Sequence, residues 1–382
     1  MTARSIRRMQ LHVVKVSAAT RWMFIRLQRA DGCVGCGEAT LNGKEAAVRD
    51  AAARFAAHAL SASVDDPGAF AAGVVPVDLA EAAVVSAIDQ AIWDLHAIDA
   101  GARLADVLGG AQRETIPIYA NINRRTRLRT PEAFAQSARD AMAAGFNALK
   151  IAPFDEVDPV RCAAGGGRTA MQAGLDRIAA VRAVAGPDRR LMVDCHWRFD
   201  ETTARTLIDA AATLGAYWIE CPLPESPANI AALVRLRKQA NGLGVRLAGM
   251  EQGIRFEAFR PFCEAGAYDV MMPDVKYVGG LMEMLRCGQA LTRHGVAISL
   301  HNPSGPVCHA ASLHAAAAMD AFDMLELQFD ESPLFDDLVA GALPRRIAGQ
   351  SVLPSRPGLG MDLDTALLGE HADGVASTWD AQ

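Results

Sequence analysis

The sequence predicts an α/β protein: a (β/α)8-type TIM barrel with an N-terminal α+β capping domain that the C-terminal tail completes. The chain has 382 residues, enough for one large domain and a smaller one. From Ile116 onward, strand-like apolar runs alternate with helix-length stretches eight times, as in a barrel of about 250 residues. The residues before Ile116 do not follow this alternation, which indicates a separate domain.

The capping domain is predicted over residues 1–112. Two β-like runs, LHVVKVSA and RWMFIRLQRA, come first, followed by a turn at Asp31–Gly32 and the segment GCGEAT. Ala-rich helical stretches follow at Glu45–His58 and Leu79–Ala100. The second stretch repeats apolar residues at helical spacing, so we expect it to bury one face. Gly109–Gly110 ends this part of the chain.

The barrel is predicted over residues 113–330 and the C-terminal segment, which packs back on the capping domain, over 331–382. Barrel strands are predicted near 117–122, 146–152, 190–195, 216–221, 245–250, 268–273, 296–300 and 322–327. Active sites of such barrels lie at the C-terminal ends of the strands.

The composition restricts the partners of this chain. A net charge of −6 and a hydrophobic content of 51% fit a folded protein with no general attraction to nucleic acid or anionic membranes. No segment approaches the ~20 apolar residues of a transmembrane helix. Eight cysteines without a secretion signal indicate reduced thiols. We therefore expect a cytoplasmic protein with no nucleic-acid or membrane partner.

Five polar residues, each at the end of a predicted strand or directly after it, are the main functional signal. They are Asp194, Glu220, Glu251, Asp274 and His301. Isolated charges at the ends of apolar strands are costly when buried without partners. Their regular spacing therefore predicts one shared site at the barrel mouth, with a metal ion and a proton-transfer pair.

The residue types suggest different roles within this set. Asp194, Glu220 and Glu251 offer the carboxylate oxygens that Mg²⁺ prefers, although each could instead cap a helix or pair with an arginine. Asp274 could fix the tautomer of His301 and raise its basicity. The alternative is a surface histidine beside an unrelated acid.

Seven motifs together resemble the enolase superfamily, mandelate racemase subgroup, over nearly the whole chain. They are DGCVGCGE (Asp31–Glu38), AIDQAIWDL (Ala87–Leu95), LGG (Leu108–Gly110), VDCH (Val193–His196), IECPLPE (Ile219–Glu225), PDVKYVGG (Pro273–Gly280) and HNPSGP (His301–Pro306). The resemblance implies that Asp194, Glu220 and Glu251 bind the metal and that Asp274 and His301 form a catalytic dyad. It also implies a homo-oligomer, because relatives commonly form dimers or octamers.

Two positions refine this resemblance. Many relatives carry KxK at the end of the second barrel strand, but GFNALKIAPF has Lys150 followed by Ala152 where the second lysine would act as a base. Alanine cannot transfer a proton, which disfavours a racemase that uses lysine and histidine on opposite faces. His196, two residues after Asp194, resembles the Asp-x-His signature of galactonate-type acid-sugar dehydratases. The alternative is that His196 only supports Asp194.

The resemblance therefore implies Mg²⁺-dependent dehydration of a small sugar acid in carbohydrate catabolism. His301 would remove the proton α to the carboxylate, and Lys150 and the metal would stabilise the enediolate. His196 would protonate the leaving hydroxyl to give a 2-keto-3-deoxy acid, although the two histidines could exchange roles. A racemase or epimerase and a non-catalytic metal-binding homologue are the alternatives.

Three further residues are candidates for binding substrate oxygens. They are Arg198, Glu225 and Asn302, which follow the predicted strands closely. A salt bridge within a loop is the alternative for Glu225.

Overall fold

The computed structural model describes residues 4–344 and 346–381. The capping domain comes first in the chain. Its strands are β1 (Ile6–Lys15), β2 (Arg21–Arg29) and β3 (Val34–Glu38), which pair antiparallel in that order. Its helices are α1 (Glu45–Leu60), α2 (Ala69–Ala72), α3 (Leu79–Asp99) and α4 (Leu104–Val107).

The barrel has the eight predicted strands, all parallel to their neighbours. They are β4 (Thr115–Asn121), β5 (Ala148–Ile151), β6 (Arg190–Asp194), β7 (Trp218–Glu220), β8 (Arg246–Gly249), β9 (Val270–Met271), β10 (Ala297–Leu300) and β11 (Met324–Gln328). Pairing of β11 with β4 closes the barrel, with Leu325 opposite Ile118. The predicted fold class is thereby confirmed.

Helices connect successive barrel strands and cover the outside of the barrel. They are α5 (Pro131–Ala143), α6 (Pro159–Ala163), α7 (Gly167–Ala185), α8 (Glu201–Thr213), α9 (Ile230–Gly242), α10 (Arg255–Glu264), α11 (Leu281–Arg293) and α12 (Pro306–Ala318). A short 3-10 helix, Pro227–Asn229, precedes α9. Within the described parts of the chain, no helix is both long and apolar enough to cross a membrane.

The C-terminal segment adds one strand to the capping sheet and two to the barrel sheet. Its elements are α13 (Leu334–Asp337), β12 (Arg346–Ile347), β13 (Gln350–Val352), α14 (Thr365–Glu370) and β14 (Ser377–Asp380). β14 pairs antiparallel with β1 of the capping domain. β13 pairs with the first residues of barrel strand β4 and forms a hairpin with β12. The segment thus contacts the barrel as well as the capping domain.

Two glycines explain how the capping sheet approaches α3 so closely. A Cβ atom added at Gly35 would lie 2.1 Å from the carbonyl oxygen of Ala91, and one at Gly37 would lie 1.9 Å from that of Ala87. Any side chain at these positions would push the helix off the sheet. The close packing therefore requires the glycines of the GCGE segment.

Helix α3 is buried more completely than the sequence pattern indicates. Its predicted apolar face is buried, but Ser86, Asp89 and Gln90 on the other side are buried as well. The reason is that α3 lies between the capping sheet and the barrel, so both sides are covered.

Four polar side chains of the capping domain bind the barrel loops that carry Asp274 and His301. Ser86 Oγ accepts a hydrogen bond from Gly279 N (3.1 Å), Asp89 Oδ2 accepts one from Leu281 N (2.7 Å), and Gln90 Nε2 donates to Val275 O (3.2 Å). Glu38 accepts hydrogen bonds from Gly305 N and Cys308 N at the start of α12. We call Glu38, Ser86, Asp89 and Gln90 the docking residues. They fix the position of the capping domain over the barrel mouth.

Because His314 is buried, we expect the free energy of unfolding to decrease in mild acid. Its Nδ1 accepts a hydrogen bond from Ala105 N (3.2 Å) and its Nε2 donates to Leu359 O (3.3 Å), so the neutral ring suits the site. Burial lowers the pKa of His314 to about 4. Between pH 6.5 and 4 the unfolded chain binds the extra proton, so stability falls as the pH falls, by about 1.4 kcal/mol per pH unit from this residue.

We expect His314→Gln to lose less stability than the wild type between pH 7 and pH 5, as measured by urea unfolding. The exposed His294→Gln serves as the control and should follow the wild type. Equal acid dependence in wild type and His314→Gln would contradict this account.

Candidate active site

Three carboxylates converge at the C-terminal ends of three neighbouring barrel strands. Asp194 and Glu220 are the last residues of β6 and β7 and lie opposite each other in the strand register. Glu251 follows β8 by two residues. Each contributes a carboxylate oxygen to a group in which all oxygens lie within 4.8 Å of one another, and all three residues are buried. Like charges this close are tolerated when a cation lies among them or when one carboxyl group is protonated.

The backbone around these carboxylates adopts a conformation that non-glycine residues rarely take. His196, Trp197, Cys221 and Met250 have φ values of 47°, 57°, 47° and 70°. Such positions cost on the order of 1–3 kcal/mol each and are concentrated at functional sites. The left-handed residues turn the chain sharply where each strand ends, and this turn sets the direction of the neighbouring polar side chains.

Lys150, at the end of β5, neutralises part of this negative charge. Its Nζ lies 2.7 Å from Glu220 Oε1, 2.7 Å from Glu326 Oε1 and 3.8 Å from Asp194 Oδ2. Burial alone would lower the pKa of Lys150, but the charges of Glu220 and Glu326 outweigh it and raise the pKa. The ammonium group is therefore permanently charged.

Glu326 also belongs to this cluster, although it is not among the site residues predicted from the sequence. It lies on β11, is buried, and accepts hydrogen bonds from Asn121 Nδ2 (2.7 Å) and Asn302 N (3.1 Å). Burial opposes its charge, but Lys150 and His301 lower the pKa of Glu326 overall. The available signal was a single glutamate in the apolar run MLELQ, the same pattern that marked Asp194 and Glu220.

The structure brings Asp274 and His301, the two residues of the predicted dyad, into contact. His301 Nδ1 lies 2.8 Å from Asp274 Oδ2, and its Nε2 lies 3.5 Å from Glu251 Oε2. Lys276 Nζ also contacts Asp274 Oδ2, at 2.5 Å. A carboxylate at Nδ1 holds the proton there and leaves the lone pair of Nε2 directed at the carboxylate cluster. Burial lowers the pKa of His301, but the charges of Glu251 and Asp274 outweigh it and raise the pKa.

His196 lies on the opposite side of the barrel mouth. It follows β6 and His301 follows β10, and these are the third and seventh strands of the eight. Its Nε2 lies 3.0 Å from Asp194 Oδ2, and its side chain is 40% exposed. The charge of Asp194 raises the pKa of His196 to about 9. This imidazole can therefore carry a proton into the site.

The three predicted substrate-binding residues make other contacts. Arg198 Nη1 donates to the carbonyl oxygens of Asp155 and Val157. Asn302 Nδ2 donates to the carbonyl oxygen of Glu326. None of the three is among the residues that line the cavity between the histidines. Their assignment to substrate stays a prediction, and their contacts indicate that they support the neighbouring loops.

Glu225 illustrates this supporting role. Its Oε1 accepts hydrogen bonds from Met250 N (2.5 Å) and Tyr268 Oη (2.9 Å). Burial raises the pKa of Glu225 to about 7. Through Met250 it holds the residue that precedes Glu251 in its left-handed conformation.

The cavity at the barrel mouth has a volume of about 250 Å³. Asp194, His196, Glu251 and His301 line one part of it, and Lys150 lies at its base. The volume is below the range of about 300–1,000 Å³ typical of pockets for drug-sized ligands. A cavity of this size suits a small ligand.

The residues at this site fit a divalent metal ion. Glu251 Oε2 is buried and has no hydrogen-bond partner among the described residues, and it belongs to the three-carboxylate group. Buried acceptors without donors are rare, and hard carboxylate oxygens suit ions such as Mg²⁺. An ion held by Asp194, Glu220 and Glu251 would satisfy both the charge and the unpaired oxygen.

Glu251→Gln tests this ligand set. The substitution keeps the shape of the side chain and removes its charge. Mutation of a residue that only hydrogen-bonds to a metal ligand already lowers metal affinity about tenfold or more. Magnesium affinity should therefore fall at least about tenfold in Glu251→Gln. Isothermal titration calorimetry measures the affinity, with the exposed Glu264→Gln as control. Unchanged affinity in Glu251→Gln would remove this residue from the ligand set.

Two family matches define the class of protein to which this chain belongs. Residues 2–109 match the mandelate racemase / muconate lactonizing enzyme N-terminal domain, and residues 133–367 match the enolase C-terminal domain-like family. The chain therefore belongs to the mandelate racemase / muconate lactonizing enzyme family of the enolase superfamily, and the predicted resemblance is confirmed.

Curated relatives carry more specific names. A D-galactonate dehydratase of Ralstonia nicotianae is 27% identical over 394 residues, covering 94% of this chain and 97% of that protein. A D-gluconate dehydratase of Thermoproteus tenax is 28% identical over 76% of this chain, a match that spans only 56% of that protein. A D-galactarolactone cycloisomerase of Agrobacterium fabrum is 31% identical over 75% of this chain and 73% of its own length.

Solved structures share the fold. A mandelate racemase/muconate lactonizing enzyme from Sulfitobacter sp. has a TM-score of 0.84 and 24% identity, covering 96% of this chain and 95% of that one. An enolase superfamily member from Salmonella Typhimurium has a TM-score of 0.82 and 22% identity, covering 98% and 100%. At these identities the likeness concerns the fold alone.

Proposed function

We propose that this chain is a magnesium-dependent dehydratase that converts a sugar acid into a 2-keto-3-deoxy acid and water. The observation that carries the proposal is the arrangement of His301 and His196 on opposite sides of one carboxylate cluster. Removal of a proton at C2 and departure of a hydroxyl at C3 require one base and one acid. The two histidines supply both.

His301 acts as the base. Because Asp274 holds the proton on Nδ1, the lone pair of Nε2 is available for the proton at C2. Lys276 also contacts Asp274, which keeps that carboxylate ionised and fixed in position. The electron pair of the broken C–H bond then passes into the carboxylate group of the substrate, which forms an enediolate.

His196 acts as the acid. Charged through its contact with Asp194, it donates a proton to the hydroxyl at C3 as the C3–O bond breaks and water leaves. The resulting enol tautomerises to the 2-keto acid. The configuration of the substrate decides which histidine faces which atom, so the two roles can be exchanged.

Lys150 offers a permanent positive charge at the base of the cavity, where negative charge develops on the substrate carboxylate. Ala152 leaves no second lysine on this side. When bound by Asp194, Glu220 and Glu251, Mg²⁺ supplies further positive charge for the same carboxylate. Arg198, Glu225 and Asn302 hold the surrounding loops.

The relatives support the proposal independently. The hydro-lyase class predicted from the sequence is the class named for the galactonate and gluconate dehydratases. The cycloisomerase shows that relatives of similar identity carry other names, so the reaction of this chain needs a direct test. The predicted cytoplasmic location and homo-oligomeric state remain predictions.

Incubation with a panel of aldonic and aldaric acids and Mg²⁺ tests the function. Mass spectrometry should show loss of one water, and a carbonyl reagent should detect the 2-keto product. An epimer of unchanged mass would identify the racemase or epimerase alternative. Absence of both product and metal-dependent deuterium exchange at C2 would favour the non-catalytic homologue.

A further inference from the structure

A second polar region of the cavity lies at the first and eighth barrel strands, whereas Asp194, Glu220 and Glu251 lie at the ends of the third, fourth and fifth. It is formed by Asn123 and Arg124, which follow the first barrel strand, and by Gln328, the last residue of the eighth strand. We call Asn123, Arg124 and Gln328 the distal group. A substrate whose carboxylate lies at the metal ligands would reach this group with its other end.

Arg124 differs from the two lysines that line the cavity. The donors of Lys150 are directed at Glu220 and Glu326, and Lys276 is paired with Asp274. Both lysine side chains are at most 2% exposed, whereas the side chain of Arg124 is 27% exposed. Arg124 is thus more accessible than either lysine of this cavity.

The hydrogen bonds of Arg124 leave one edge of its guanidinium available. Nη1 donates to Pro303 O (2.8 Å) and to Glu331 Oε2 (3.3 Å), and among the described residues no acceptor is recorded for Nε or Nη2. The contact with Glu331 is longer than the 2.7–2.9 Å usual for charge-assisted hydrogen bonds. The free Nε–Nη2 edge has the geometry that binds a carboxylate through two parallel hydrogen bonds.

The other two members of the distal group are unsatisfied acceptors. Asn123 Oδ1 and Gln328 Oε1 are buried and have no hydrogen-bond partner among the described residues. Gln328 is only 6% exposed, and its Nε2 donates to Asn121 O (3.2 Å), which fixes the amide. Buried acceptors of this kind require donors, and hydroxyl groups of a polyol chain would supply them.

We propose that the distal group binds the far end of the substrate, with Arg124 holding a second carboxylate, so that the substrate is a sugar diacid. The inference rests on the proposed function, which places the first carboxylate at the metal ligands. A monoacid of the same length ends in a neutral hydroxymethyl group, which gains less from a guanidinium. Hydroxyls between the two ends bind Asn123 and Gln328.

The test compares kcat/KM for aldaric and aldonic acids of matched configuration in the magnesium-loaded enzyme. The wild type should prefer the diacid. Arg124→Gln should lower kcat/KM for the diacid about 100-fold, the loss expected when a charge-assisted pair is removed, and change the monoacid value less than about threefold. Arg125→Gln is the matched control, because Arg125 pairs with Asp140 and Asp330 and is not among the cavity-lining residues.

Direct binding provides a second measurement. The affinity of a diacid for the magnesium-loaded protein, measured by calorimetry, should fall in Arg124→Gln. It should fall less in Arg124→Lys, which keeps the charge but cannot donate two parallel hydrogen bonds. If Arg124→Gln does not fold, a selective loss of diacid affinity in Arg124→Lys carries the test.

The outcomes separate this inference from the proposed function. Conversion of neither acid class by the wild type would overturn the proposed function. Conversion of monoacids at least as efficiently as diacids, or an equal loss for both in the Arg124 variants, would overturn the diacid subsite alone.

Discussion

His301→Asn is expected to lower kcat by about 10⁴-fold, the upper end of the range for loss of a general base. Asparagine has nearly the same shape and can still donate a hydrogen bond to Asp274, which preserves the local structure. It cannot accept a proton from carbon. The other histidine of the site, His196, lies across the barrel mouth and cannot take over at the same face of the substrate.

Metal-dependent exchange of the C2 proton in deuterium oxide measures this step directly. Exchange should disappear together with turnover, while magnesium affinity and the unfolding midpoint stay close to those of the wild type. His294→Asn, on the exposed C-terminal end of α11, should behave as the wild type. Near-normal exchange in His301→Asn would exclude the dyad as the base.

Lys150→Met is expected to have the largest effect on stability. Removal of the ammonium leaves Glu220 and Glu326, both fully buried, without their shared cation. Breaking a buried ion pair by removing one partner costs about 3–5 kcal/mol. Urea unfolding in the presence of a chelator measures this loss, and Lys238→Met on the exposed surface of α9 should show none.

The pH dependence of the Lys150→Met defect follows from the same charges. Without Lys150, burial holds the pKa values of the two glutamates above those in the unfolded chain. The folded variant then binds more protons than the unfolded one, so its stability falls as the pH rises. The defect should therefore be larger at pH 8 than at pH 5. A defect that does not change with pH would show that the carboxylates are neutralised in another way.

Much of the fold and of the site could be predicted from the sequence. The eight strands fall within a few residues of their predicted positions because buried parallel strands and amphipathic helices leave clear periodic patterns. Asp194, Glu220, Asp274 and His301 could be recognised because a single polar residue at the end of an apolar strand is conspicuous. Barrel topology then brings such residues together.

The remaining features depend on contacts that no local pattern encodes. Glu326 is the third of five residues in its strand and not the last, so a polar residue at the strand end does not mark it, although its environment is the same. Arg198 and Asn302 follow strands as predicted, but backbone carbonyl oxygens accept their hydrogen bonds. Whether a loop side chain enters a cavity is decided by its neighbours in space.

The docking residues have a consequence for exchanging parts between related enzymes. Glu38, Ser86, Asp89 and Gln90 belong to one domain, yet they hold the loops of the other domain on which Asp274 and His301 are placed. A chimera that joins a foreign cap to this barrel would therefore shift Asp274 and His301 even if every cavity-lining side chain were retained. The two domains position these residues jointly and are best transplanted together.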